Sequence, residues 1–154
     1  MEPKIVEREA FHVVGITQRF TPGKIDGIPA LWDRFVLRAA EVTDAVPGVH
    51  YGVGVEDRRD GEPGFLYTAG TGVSAVTRVP QGMNAVEIPA GRYAVFTHKG
   101  PVTHLARTIV AVWHQWLPRS GLKARHAPDF ECYDRRFKMN HPDSEVDLYV
   151  PIEG

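Results

Sequence analysis

Residues 28–56 read IPALWDRFVLRAAEVTDAVPGVHYGVGVE, and two periods meet inside them. Ile28, Leu31, Trp32, Phe35, Val36 and Ala39 recur at three- and four-residue spacing, with Asp33, Arg34, Arg38 and Glu41 between them. That pattern predicts an amphipathic helix of about five turns over 28–46, stopped by Pro47-Gly48. From Val49 to Glu56 the chain reads as a strand. Its Gly52 and Gly54 have no side chain on one face, so a ligand, a helix or another backbone is expected to approach there.

Upstream, Lys4 to Ile16 carries Ile5, Val6, Phe11, Val13, Val14 and Ile16 without a helical stripe, which predicts a strand. Thr21-Pro22-Gly23-Lys24 then marks a loop. Downstream, the polar Asp57–Gly64 connection reads as a hairpin tip, followed by strands over Phe65–Val73, Met83–Ile88 and Arg92–His98. Beyond Gly100-Pro101, Leu105, Ile109, Val112, Trp113 and Trp116 form the stripe of a second helix, ending at Leu117-Pro118 and Ser120-Gly121. Strands over Asp129–Phe137 and Glu145–Ile152 follow, joined by the loop around Asn140-His141-Pro142-Asp143.

The order strand, helix, strand, strand thus occurs twice, and the chain reads as one domain over 1–154 with pseudo-repeats at about 1–75 and about 83–154. Two helices cannot cover both faces of that many strands. The expected class is therefore α+β: an antiparallel sheet with two main helices on one face, the other face curled on itself, and a central ligand cleft between the copies.

The 18 Lys and Arg against 19 Asp and Glu give a formal charge of −1 at pH 7, without the basic excess of a nucleic-acid-binding protein. With 43% hydrophobic and 24% charged residues, the composition is that of a folded globular domain. One cysteine, Cys132, excludes an internal disulfide framework. No run approaches the ~18 apolar residues of a membrane span, and acidic residues stand where a leader would be apolar, so a soluble, cytoplasmic protein is expected. The seven histidines form no HExxH, and neither a metal nor a cofactor is expected. Nucleophile-elbow, phosphate-loop and dinucleotide signatures are missing as well.

The chemistry concentrates in Asp129-Phe130-Glu131-Cys132-Tyr133-Asp134. Strand alternation puts Phe130 and Cys132 on one face, expected to pack on the helices, and Glu131 and Tyr133 on the other, expected to enter the cleft. A carboxylate beside an aromatic ring suits a cation with an apolar body. A solvated strand glutamate is the plainer alternative. Tyr51, Tyr67 and Tyr149 fall where they can line the same cleft. Trp32 and Trp113 are assigned to the core, and Trp116 is kept as a cleft candidate. The direction expected for Cys132 makes it a core residue rather than a nucleophile.

Several segments, in order, resemble one family. They are Tyr51-Gly52-Val53-Gly54-Val55, Tyr67-Thr68-Ala69-Gly70, Tyr93–Pro101, Trp116-Leu117-Pro118 with Ser120-Gly121, Pro128–Tyr133 and Asp147–Ile152. Essentially the whole chain is similar to the GyrI-like small-molecule-binding domain, the effector-binding domain of certain AraC- and MerR-type regulators. The resemblance implies the duplicated fold with a pocket between copies. It implies that Glu131, on the penultimate strand, pairs with cationic lipophilic ligands at the pocket base, and that Tyr133, Tyr51 and Tyr67 stack around it. The family's regulators also carry a DNA-binding domain, to which no segment here corresponds, so a stand-alone effector-binding form is expected. Two alternatives come with the resemblance. One branch hydrolyses cyclopropane-bearing electrophiles, and there Glu131 would be catalytic. Other members bind a protein partner, DNA gyrase.

Overall fold

The computed structural model describes residues 2–154. Eight strands form one antiparallel sheet: β1 (Lys4–Arg8), β2 (Phe11–Phe20), β3 (Ala45–Glu56), β4 (Phe65–Val73), β5 (Asn84–Ile88), β6 (Gly91–Lys99), β7 (Asp129–Tyr133) and β8 (Glu145–Ile152). Their order across the sheet is β1-β6-β8-β7-β3-β4-β2-β5. Helix α1 (Ile28–Arg38) follows β2. The second helix is composite: a 3-10 turn (Val102–His104), α2 (Leu105–Ala111), a π turn (Val112–Trp116) and α3 (Leu117–Ser120). The class is α+β, and the two strand–helix–strand–strand units join edge to edge where β3 pairs with β7.

Several boundaries differ from the sequence expectation for local reasons. The first predicted strand is two. Between them Glu9-Ala10 changes direction, sending β1 to pair with β6 and β2 to pair with β4 and β5. Only these two residues separate β1 from β2, yet β1 is one edge of the sheet and β2 lies beside the other. The sheet must therefore curl until its ends meet. Helix α1 stops at Arg38 with a 3-10 turn over Ala39–Glu41, and Pro47-Gly48 lies inside β3, where the pairing with β4 shifts register between Ala45 and His50. Proline cannot donate to the ladder, so it sits at that irregularity rather than ending a helix. Pro118 does not end the second helix either. Its ring would crowd the carbonyl four residues back, and the π turn widens the coil just before it. The end comes at Gly121, whose φ of 79° makes the left-handed cap.

The two faces of the sheet are filled differently. On one, Leu31 and Phe35 of α1 pack over Val14, Ile16 and Ala69, while Leu105 and Val112 of the second helix pack over Phe96, Leu148 and Val150. On the other, Val13, Tyr51, Val53, Ile88, Tyr93, Phe130 and Cys132 form one cluster drawn from strands that are far apart in the sheet order, as a curled sheet requires. Phe130 stacks on Tyr149 with ring centroids 4.4 Å apart. Phe130 and Cys132 thus face the curled interior, not the helices; the alternation is as expected but the faces are exchanged.

Arg8 closes that curled side. Its guanidinium lies 4.4 Å from the Phe11 ring centroid and 5.2 Å from that of Tyr149, and it donates to the Tyr51 hydroxyl at 2.9 Å. Each cation–π contact of a half-buried arginine contributes about 0.5–1 kcal/mol. Arg8→Ala should therefore cost roughly 1–2 kcal/mol, read as a lower urea midpoint at unchanged slope.

Candidate functional site

Measured along the sheet, eight strands at about 4.8 Å spacing are far wider than two helices of roughly 10 Å each. Each helix packs on the strands of its own unit, α1 on β2 and β4 and the second helix on β6 and β8. The two central strands, β3 and β7, are left between them as the floor of a cleft. On this face β3 presents His50, Gly52 and Gly54, and β4 presents Tyr67 and Ala69.

The cleft holds a cavity of about 460 Å³, within the range of small-molecule sites. One wall is the row Ile28, Trp32 and Val36, four residues apart on α1; the other is Val102, Leu105 and Ile109. Phe137 and Met139 close one end. Val36 and Met139 are 62% and 68% exposed, large apolar side chains held at the mouth rather than in the core. The broad stripe of α1 therefore serves two surfaces. Leu31 and Phe35 enter the core, and the 28–32–36 row faces the cavity.

Glu131 lies on the floor, opposite Gly52 in the β3–β7 ladder. Its Oε1 accepts a hydrogen bond from the Tyr67 hydroxyl at 2.8 Å and from the Tyr133 hydroxyl at 2.7 Å. Trp32 Nε1–H donates to the Tyr67 oxygen at 3.0 Å, which sets the direction in which Tyr67 donates onward. Both tyrosines thus load one carboxylate oxygen. A Cβ built on Gly52 would overlap the Tyr67 hydroxyl and come within 2.7 Å of Glu131 Oε1. The approach expected over Gly52 is made by the protein's own carboxylate and phenol.

Burial pushes the Glu131 carboxyl up to about 7, against the tyrosine hydrogen bonds that favour its charged form. The nearby carboxylate of Asp129 adds to the rise. Asp129 itself is pushed up to about 6 by burial. His50 is held below its ordinary value by burial, which favours the neutral ring. Asp26 and Asp33 stand at the rim, and neither lysine nor arginine lines the cavity among the described residues. The site is an apolar cleft with acidic groups and no fixed cation.

The structure brings together Glu131, Tyr67 and Tyr133. Tyr51 is not with them: opposite Cys132 in the ladder, it points into the curled face and bonds Arg8. Tyr149 shares that face. Trp116 packs edge-on against Phe96, at 4.7 Å between centroids, in the contact of the second helix with the sheet. Trp32, assigned from its spacing to the core, does pack against the core cluster under α1, and it also lines the cavity with its edge toward the Tyr133 ring at 5.2 Å. The signal missed was the width of the α1 stripe, which exceeds what one core contact needs.

Residues 1–153 match the model of the GyrI-like small molecule binding domain. The transcriptional regulator BrlR of Pseudomonas aeruginosa is 42% identical over 154 residues, covering 99% of this chain and 56% of its own length. The chain spans about half the length of the curated relatives it matches. Among solved structures, SAV2435 bound to tetraphenylphosphonium superposes with a TM-score of 0.75 at 18% identity, covering 100% of this chain and 95% of its own. EcmrR in a DNA complex superposes at 0.73 with 15% identity, covering 99% of this chain and 57% of its own. At such identities the structural likeness speaks to the fold alone. No helix among the described residues is long and apolar enough to cross a membrane.

If Gly52 exists to admit the Tyr67 hydroxyl, Gly52→Ala should cost about 1–3 kcal/mol by overpacking. Adding Tyr67→Phe removes the nearest clashing atom, so the double variant should lose less than the sum of the single losses. A double-mutant cycle by chemical denaturation measures that coupling.

Proposed function

This chain belongs to the GyrI-like family of small-molecule-binding domains, and from that premise we propose that its cleft binds amphipathic cations with an aromatic body, using Glu131 as counter-charge. One observation carries the reading. A carboxylate sits on the floor of an apolar cavity with both tyrosine hydroxyls on Oε1, and no basic side chain lines the cavity among the described residues.

The chemistry follows from that imbalance. Burying a charge is costly unless it is paired, and two phenol hydrogen bonds solvate the carboxylate only in part. An incoming cation supplies the rest, while the walls of Trp32, Ile28, Val102 and Ile109 take up its apolar body. The Trp32 and Tyr133 rings offer π surface to the same cation. The bound tetraphenylphosphonium of SAV2435 is a ligand of this class, on the same fold. Because such domains occur in transcription regulators, a role in sensing the ligand for a regulator is the setting we propose, with no direct contact of this domain to nucleic acid.

Proton linkage gives the test. The neutral carboxyl must lose its proton before it can pair, so affinity for a cation should rise with pH. It should fall by up to about tenfold per unit below the raised value near 7 and level off above it. Glu131→Gln keeps volume and removes charge. Calorimetric titration with tetraphenylphosphonium should then show affinity lowered by about tenfold or more at pH 8, and between pH 6 and 8 only the weaker dependence that Asp129 leaves. Equal affinity of the variant and the wild type at pH 8 would overturn the reading.

A further inference from the structure

Asp129 precedes Glu131 by two residues on β7, so both carboxylates point to the helix-covered face, about 7 Å apart along the strand. The two are built alike. Glu131 lies opposite Gly52 and Asp129 opposite Gly54, and a Cβ built on Gly54 would sit 3.0 Å from Asp129 Oδ1. Each acid thus occupies space that a glycine on β3 leaves open.

Their partners differ. Glu131 is held by two tyrosines, whereas among the described residues the only hydrogen bond to the Asp129 carboxylate comes from its own backbone, at a largely but not fully buried position. No arginine, lysine or histidine pairs with it among the described residues. An unpartnered buried carboxylate is costly, and this one is not left against a wall of side chains. It borders a crevice of about 10 Å³ under the second helix, lined also by Ile109, Val112, Trp113 and Glu131. Ile109 and Glu131 line the main cavity too, so the crevice adjoins its floor, with these two side chains between the spaces. A space of that size takes roughly one water-sized group. A primary ammonium is such a group; a quaternary or aryl cation is not.

We propose that Asp129 is a second cation subsite, and that the cleft selects dications: an aromatic cation over Glu131 joined by a short chain to a primary ammonium on Asp129. This rests on the assignment of Glu131 as counter-charge. The spacing suits a linker of roughly four methylenes, given about 3.4 Å per strand residue. Asp26 and Asp33 at the exposed rim do not offer the same enclosure and leave a second charge in water.

A matched pair of compounds tests it: N-butyl-4-phenylpyridinium, with one charge, and N-(4-aminobutyl)-4-phenylpyridinium, with two. The wild type should bind the dication about tenfold or more tightly than the monocation. Asp129→Asn should abolish that advantage and leave monocation affinity within about twofold, which also reports that the variant is folded. Asp26→Asn and Asp33→Asn should leave the advantage in place. A dication preference that survives Asp129→Asn, or none in the wild type, overturns the subsite. If Glu131→Gln still lowers monocation affinity in that case, the Glu131 assignment stands and only the second subsite fails. Monocation binding that ignores Glu131→Gln overturns both.

Discussion

A carboxylate at the bottom of an apolar cleft needs something to solvate it, and here that is a pair of tyrosine hydroxyls, of which that of Tyr67 reaches it because residue 52 has no side chain. The pairing of Gly52 with Glu131 is where the two units of the sheet meet. Any larger residue at 52 would drive Tyr67 away and leave Glu131 with one donor. The Trp32 indole then fixes Tyr67 by donating to it, so a residue of α1 determines the hydrogen bonding of a residue on β7. Packing, orientation and charge at the site all trace to that one close approach.

The cleft itself is a consequence of layer geometry. Each helix covers the strands of its own unit, and the junction strands lie between the helices. The opposite face cannot be covered by helices as well, and the sheet solves this by curling until Phe11 of β2 touches Phe130 of β7. The two-residue link between β1 and β2 demands the same closure, and the Arg8 guanidinium against four aromatic rings holds it. One side of the sheet is thus filled, and the other is open between two helices.

Much of this was legible in residue order. The strand–helix–strand–strand repeat, the hairpin and the alternation in Asp129–Tyr133 follow from period and turn chemistry, which act over a few residues, and the family resemblance rests on the order of several short segments along the chain. Glu131, Tyr67 and Tyr133 were each named from that reading, and the structure brings them into one hydrogen-bonded group. The places where local rules misjudged are those where the partner is distant. Pro47-Gly48 stops a helix only if no neighbouring strand offers a bulge, and Pro118 ends one only if the preceding turn cannot widen.

Sequence by itself determined which side chains share a face, because a strand's period of two is a property of the backbone. It could not determine which face receives the helices, since both faces of β7 are apolar enough to be buried: Phe130 and Cys132 on one, Tyr133 beside Glu131 on the other. That choice belongs to the curl of the whole sheet, and it moved Tyr51 and Tyr149 out of the cleft. Trp116 and Trp32 were decided by how each helix seats on the sheet, which no local pattern records; the first faces Phe96 and the second Tyr67. Spacing fixes neighbours along the chain, whereas a cavity is what packing between distant segments leaves unfilled.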